Sequence, residues 1–469
     1  MDGNLKERFR AIVGDAYLID APADMVSYAT EPRGLFGGSP SLVLRPGTVE
    51  EVSRILALAN ETRTPIVPQG GNTGLVGGQM ASSDGSQVVL SLARLNRIRE
   101  IDGAGRTMTV DAGVLLQNIQ QSADDAGLLF PLSLASEGSC QIGGNLSVNA
   151  GGTAVLAYGN ARELCLGLEV VLPDGTVLDD LRKLKKDNTG YDLKNLFIGA
   201  EGTLGIITGA VLKLVPKPKG KGAAWVGVNS PQAALALFNL AEQRAGSALT
   251  GFELMADVAF SFAIRHLEGA RAPLEGEHAW HVLMQISSGR SQDDADQLMQ
   301  EILEEAFESG VVEDAAIAAS LAQAKEFWRL REELSDVQKR EGGSIKHDIS
   351  VPVSKIPAFI EQGAAAVQSV CPDARLAAFG HMGDGNLHFN VSQPVGSDTK
   401  GFLALYRQMN DAVHRVVRSF NGSISAEHGI GQMKREELAA TAPAPAIALM
   451  RAIKDAVDPN GIMNPGKVI

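Results

Sequence analysis

The chain has 469 residues, with 55 acidic against 42 basic side chains; a net charge of −13 and a pI near 5.2 exclude phosphate-backbone binding as the main task, and no nucleic-acid partner is expected. This length is too great for one core, so roughly two to four domains are expected. The apolar fraction of 45% suffices for globular packing, and three widely spaced cysteines, Cys140, Cys165 and Cys371, fit a reducing compartment with no disulfide.

Residues 1–16 read as a short charged amphipathic helix lacking the apolar stretch of a signal peptide. No run is long enough to span a bilayer, so a cytoplasmic protein is expected. Residues 41–46, 49–62 and 65–68 alternate as strand, helix and strand, with Thr48 as N-cap and Glu50 and Glu51 suited to the first helical turn. The loop from Gln69 to Gly78 follows, rich in glycine. It reads either as main-chain N–H groups turned inward to cup an anion or as an ordinary flexible turn; it is not the Gly-x-Gly-x-x-Gly fingerprint.

Strands over 88–92 and 107–110 and a helix over 114–127 lead to a second glycine-rich stretch at 133–145, continued at 149–152. A third covers 190–208. Three such loops, each beside a strand, suggest one extended ligand gripped along its length, and a dinucleotide fits. After a strand over 210–215, the Pro/Gly/Lys run at 216–222 marks a boundary. Beyond it, strands at 224–228, 249–254 and 279–286 alternate with helices, two of them at 231–245 and 293–309, as in a second layered domain.

A helix over 320–342 places Arg331 and Ser335 at i and i+4 on one face, and 344–351 alternates as a strand carrying Lys346 and His347. The plainer reading of both is a solvated, salt-bridged helix and an edge strand. Residues 376–379 and 387–391 then flank Asp384-Gly385. Taken as a type I′ turn, that dipeptide sets His381 directly across from His388, with Gly383 opposite Asn386 and Met382 opposite Leu387. Opposed Cβ atoms lie about 5 Å apart, close enough for two imidazoles to converge on a metal ion, and Asn390 shares their face. The tract 425–431 adds Glu427 beside His428, so His381, His388 and Glu427 make a two-histidine, one-carboxylate site with an open position. A bare cross-strand pair and a common loop tripeptide are the alternatives. Three of the chain's eight histidines fall in these two segments, which tilts the balance toward a metal. Asn464 sits in a stretch of two turn dipeptides at 458–467.

Together, 68–78, 136–145 and 199–208 resemble the flavin-binding segments of the vanillyl-alcohol-oxidase/PCMH-type FAD flavoproteins. Residues 380–390, 425–434 and 462–467 resemble those of their D-2-hydroxyacid dehydrogenase branch, and the likeness covers nearly the whole chain. It implies an α+β fold: a two-subdomain PCMH-type FAD-binding domain over 1–220, an α/β cap domain with an antiparallel sheet over 221–424, and a C-terminal segment, 425–469, that returns to the flavin. It implies FAD at Pro68, Gly70, Gly71, Asn72, Thr73, Gly74, Gly77 and Gly78, at Ser136, Gly138, Ser139, Gly143, Gly144 and Asn145, and at Glu201, Gly202, Gly205, Ile206 and Asn464. No histidine lies within 68–78, where relatives with covalent flavin often carry one, so dissociable FAD is expected.

The same resemblance implies a divalent metal, zinc by expectation, at His381, His388 and Glu427, with Arg331, Ser335, Lys346 and Asn390 binding the substrate and His428 taking its proton. Relatives are expected to carry threonine at 335 and an aromatic at 347, and both departures bear on the substrate. The implied reaction is oxidation of a D-2-hydroxy acid, D-2-hydroxyglutarate or D-malate, to the 2-keto acid. D-lactate oxidation and a glycolate-oxidase-type FAD subunit are the near alternatives. Electron-transfer flavoprotein or a quinone would reoxidise the flavin, and a homodimer is expected. From the residues alone, a metal-dependent hydrolase is a rival, since two histidines and a glutamate could equally activate water; the glycine loops speak against it.

Overall fold

The computed structural model describes residues 2–31 and 33–469. The fold is α+β, and the chain divides into two compact units. One consists of Met1–Gly151, Asn160–Pro216 and Glu427–Ile469; the other of Gly152–Gly159 and Lys217–Ala426. The N-terminal helix expected over 1–16 runs Gly3–Val13, with Met1 itself outside the described residues.

The first unit holds two main sheets. In one, strands Leu42–Leu44 and Ile66–Gln69 both run parallel to Val88–Ser91, and Leu18–Ile19 closes the other edge antiparallel. Helix Val49–Thr62 makes the crossover. Thr48 Oγ1 accepts the Glu51 N–H at 3.1 Å, and Val52, Ile55, Leu56 and Ala59, at helical spacing, are fully buried. The C-terminal tract extends this sheet beside Ile66: Ile66 N–H donates to Ile462 O and Asn464 N–H to Ile66 O, both at 2.8 Å. The second sheet is antiparallel, ordered Ile98–Asp102, Thr107–Asp111, Ile206–Lys213, Cys165–Val171 and Val177–Asp180.

The second unit is an antiparallel sheet covered on both faces. Its order is Asp314–Ile317, Gly220–Val228, Trp280–Ser288, Leu249–Ala256, Arg375–His381, Asn386–Ser392, with Ser344–Ile345 and Asp348–Ser350 both on the last strand. Ala224, Val226 and Val228 enter one core with helices Pro231–Ala245, Gln292–Glu308, Ile356–Val370 and Tyr406–Ser419; Ala223 and Trp225 enter another with Asp257–His266 and Leu321–Glu332. Burial on both faces is why these strands read as continuous apolar runs.

Two expectations need correction. The helix over 320–342 ends at Glu332 and continues as the short helix Leu334–Val337 and a 3₁₀ turn, Gln338–Glu341. Phe327, Leu330, Leu334 and Val337 still share one core, but Arg331 is buried and Ser335 exposed, so they do not share an environment. In the hairpin, His388 pairs with Phe379, not with His381. A 3₁₀ turn over Met382–Asp384, with Gly385 in the left-handed region at φ 88°, uses more residues than a two-residue turn. The register slips by two, which keeps both imidazoles on one face.

Candidate active site

Within the first unit, an open cleft is lined by all three glycine-rich loops. Pro68, Gly70, Gly71, Asn72, Thr73, Gly74 and Gly78 come from the first, Gly143, Gly144 and Asn145 from the second, and Glu201, Gly202, Gly205 and Ile206 from the third. His428 stands in the same wall. Four consecutive main-chain N–H groups, of Gly71, Asn72, Thr73 and Gly74, donate to no acceptor among the described residues. Such a run of unengaged amides is the physical content of an anion cradle and suits a pyrophosphate. Gly71 is required for the close approach of the first loop to the second: a Cβ there would fall 2.0 Å from Ser139 O. At Gly144, by contrast, no protein atom lies within 4 Å of an added Cβ.

Gln141 Oε1 and Asn145 Oδ1, both in the cleft wall, are buried acceptors without a protein partner. They suit the hydroxyls and ring N–H of a bound dinucleotide. The residues present therefore fit FAD.

Gly77, Ser136, Gly138, Ser139 and Asn464 are not part of the wall. Gly77, at φ 72°, packs on the Phe36 ring, and the Ser136 carbonyl accepts the Ser139 and Cys140 amides in the turn that launches the second loop. Asn464 Nδ2 donates to Gly78 O at 2.9 Å and Glu201 O at 2.8 Å, joining the first and third loops. Glu201 Oε1 and Oε2 accept from Ile430 N at 2.7 Å and Gly431 N at 2.8 Å, fixing the tract that carries His428. Burial pushes the Glu201 carboxyl up from its ordinary value, outweighing those two hydrogen bonds and Lys434. Gln141, within the second loop, and Ser147 and Val148, just after it, also line the cleft and carry no sequence signal beyond that position.

In the second unit, the rings of His381 and His388 lie 5.7 Å apart between centroids, tilted by 78°. His381 Nδ1 is 2.7 Å from Glu253 Oε1. A carboxylate only accepts, so Nδ1 carries the proton and Nε2 is the ring nitrogen with a lone pair. Paired imidazoles of this kind fit a borderline metal such as zinc. Glu253 also binds Arg331, whose Nε donates to Oε2 at 2.8 Å. Burial would raise the Glu253 carboxyl, but the charges of His381 and Arg331 and the hydrogen bonds they donate bring it to about 2. Asp384 differs: burial raises it to about 6, with His381 and the Asn386 amide offsetting only part.

Lys346 Nζ donates to Ser335 O at 2.9 Å and Oγ at 2.8 Å, so these two substrate-binding candidates are brought together. Asn390, buried, donates to Gln338 Oε1 at 3.0 Å. His347 points the other way along its extended segment, bonded to Phe389 O and set edge-on to His414 in the interior. Sequence reading missed Glu253. Its signal was a lone acid inside an apolar strand, Leu249–Ala256.

Residues 40–180 match the FAD binding domain family, and residues 217–468 match the family of FAD linked oxidases, C-terminal domain. The chain is 38% identical over 447 residues to the D-2-hydroxyglutarate dehydrogenase of Xanthomonas citri pv. viticola, covering 95% of this chain and 93% of that protein. It is 39% identical over 432 residues to the mitochondrial D-2-hydroxyglutarate dehydrogenase of Danio rerio, covering 92% and 79%. The structure of p-cresol methylhydroxylase with substrate bound shares the fold, with a TM-score of 0.77 at 18% identity over 99% of this chain and 96% of that one. A dinucleotide cleft, both matched domains and relatives aligned over nearly the full length converge on one assignment: the chain belongs to the FAD linked oxidases and is an FAD-dependent D-2-hydroxyacid dehydrogenase.

Proposed function

We propose that this enzyme oxidises D-2-hydroxyglutarate to the 2-keto acid, with D-malate as the next substrate in line. Relatives at 38% and 39% identity named for D-2-hydroxyglutarate support that choice. The observation that carries the redox half is the single cleft in which the unengaged amides of Gly71 to Gly74, the three glycine loops and His428 stand together.

FAD, when bound, supplies the acceptor for the hydride that leaves Cα. His428 takes the proton of the α-hydroxyl, a task suited to an imidazole. Arg331, with Ser335, Lys346 and Asn390, holds and orients the substrate, the guanidinium offering a fork to a carboxylate. His381, His388 and Glu427 would hold a divalent ion, zinc by preference, whose Lewis acidity would favour the ionised hydroxyl. A hydride and a proton, two electrons and two protons in all, leave the substrate, and electron-transfer flavoprotein or a quinone completes turnover in this reading.

The test is anaerobic mixing of the yellow holoprotein with D-2-hydroxyglutarate, D-malate, D-lactate and glycolate, followed by turnover with an artificial acceptor. Bleaching led by D-2-hydroxyglutarate is expected. A flavin that none of the four acids bleaches would overturn the substrate assignment, and a colourless, zinc-loaded protein would point to a hydrolase. Activity lost to a chelator and restored by Zn²⁺ supports the metal; activity indifferent to chelation removes it.

A further inference from the structure

We infer that Glu253 is a positioning residue that orients one metal-ligand imidazole and one substrate-binding guanidinium at the same time. The inference rests on the proposed roles of His381 and Arg331. Glu253 is the sole charged residue of strand Leu249–Ala256 and is 0% exposed. A carboxylate in such a strand is costly unless both oxygens are engaged. They are engaged by two different partners.

Oε1 faces His381 Nδ1 at 2.7 Å, and the two residues are register partners on neighbouring strands, so the sheet itself sets their spacing. Oε2 accepts Arg331 Nε at 2.8 Å. Arg331 Nη2 lies 2.7 Å from the same oxygen at an angle that makes no hydrogen bond, and it remains a buried donor without a hydrogen-bond partner. Arg331 is 5% exposed, its guanidinium lies over the Phe379 ring at 4.9 Å, and the Phe379 ring in turn lies 5.1 Å from that of His388. The arginine is therefore held by its Nε edge, by the ion pair with Glu253 and by one face, while Nη2 keeps an unfilled hydrogen-bond capacity. A carboxylate of the substrate is the chemistry that would complete it.

The imidazole is treated in the same way. Its Nδ1 proton is committed to Glu253 and its tautomer thereby set, which makes Nε2 the ligand atom of the proposed metal role. One side chain thus couples the orientation of the metal ligand to that of the carboxylate binder. A carboxylate serving the fold alone would make the same contacts but would have no specific effect on metal retention or on KM.

The test is E253Q in the FAD-loaded holoenzyme. Glutamine keeps the volume and one acceptor oxygen but turns an amide N–H₂ toward one of the two cationic or protonated partners. Competition with a graded chelator should show Zn²⁺ held roughly 10–100-fold more weakly. KM for D-2-hydroxyglutarate should rise, with flavin content unchanged. Wild-type Zn²⁺ retention and wild-type KM would overturn the inference. Should E253Q fail to fold, E253D keeps the charge but is one methylene too short to reach both partners. With flavin content retained, at least one of its two readouts must move, and two wild-type values would again overturn it. H381A and H388A run in parallel separate the two failures. If they retain Zn²⁺ as the wild type does, the metal reading fails and the metal half of Glu253's role goes with it; if they lose Zn²⁺ while E253Q keeps it, only the role of Glu253 is refuted.

Discussion

Replacing Glu201 by alanine should cost the enzyme its flavin. The carboxylate accepts the Ile430 and Gly431 amides at 2.7 and 2.8 Å, and these two residues follow His428 by two and three positions. Hydrogen bonds to a charged group contribute about 1.5–3 kcal/mol each, so the pair represents roughly 3–6 kcal/mol. Burial, which raises the carboxyl pKa, offsets part of that sum, and a net loss of about 3 kcal/mol is the reasonable figure. Expressed wholly in FAD binding, this is a loss of about a hundredfold in affinity. The assay is fluorescence titration of the flavin-free protein with FAD, for wild type, E201A and E201Q. Glutamine retains one acceptor oxygen and should fall between the other two. The pH dependence supplies a second readout. An acid whose folded pKa is raised binds its proton more tightly in the folded chain, so its contribution to stability falls as pH climbs from 4.5 through the raised value. E201Q should flatten that fall. Wild-type FAD affinity in E201A would refute the reasoning.

Gly71 and Gly144 make a contrasting pair. G71A forces a Cβ onto Ser139 O and should yield colourless, destabilised protein, whereas G144A should keep the wild-type melting temperature yet bind FAD roughly tenfold more weakly, because the space it fills belongs to the ligand; flavin-to-protein absorbance and thermal melts read both. H428A should lower kcat by roughly 10²–10⁴-fold with little change in KM, whereas R331A should act mainly on KM, and steady-state kinetics that show near-normal turnover in H428A would remove the histidine from the base role. Glu341 is half-buried, and desolvation alone would raise its carboxyl, but hydrogen bonds from Arg375, His266 and Arg265 hold it at about 2. Its contribution to stability is therefore full above pH 4.5 and fades as pH drops toward 2; chemical denaturation across that window should show a shallower decline for E341Q.

The three glycine loops were legible because an anion cradle needs residues that leave N–H groups unshielded, and that need is written locally. The crossover helix Val49–Thr62 was equally plain, its cap and its buried stripe both lying within one stretch of chain. Registers are another matter. The slip of two residues at the histidine hairpin depended on a 3₁₀ turn that Met382–Asp384 adopts where a two-residue turn was equally compatible with the letters. Glu253 showed in the sequence only as a lone acid in an apolar strand, because its partners, Arg331 and His381, stand 78 and 128 positions away. Asn464 was placed by resemblance against the flavin, and what its side-chain N–H₂ does, bracing Gly78 to Glu201, is a tertiary fact that no local pattern announces.

The strand at Ile66–Gln69 has one neighbour within its own sheet, and its other side is taken by Ile462 to Asn464, nearly four hundred residues later in the chain. During synthesis the cradle-bearing strand must therefore wait, edge open, until the segment that covers it, nearly four hundred residues on, has left the ribosome. A nascent chain of this kind is exposed to strand-to-strand aggregation throughout that interval, and chaperone demand or flavin supply at its end should govern how much of it matures.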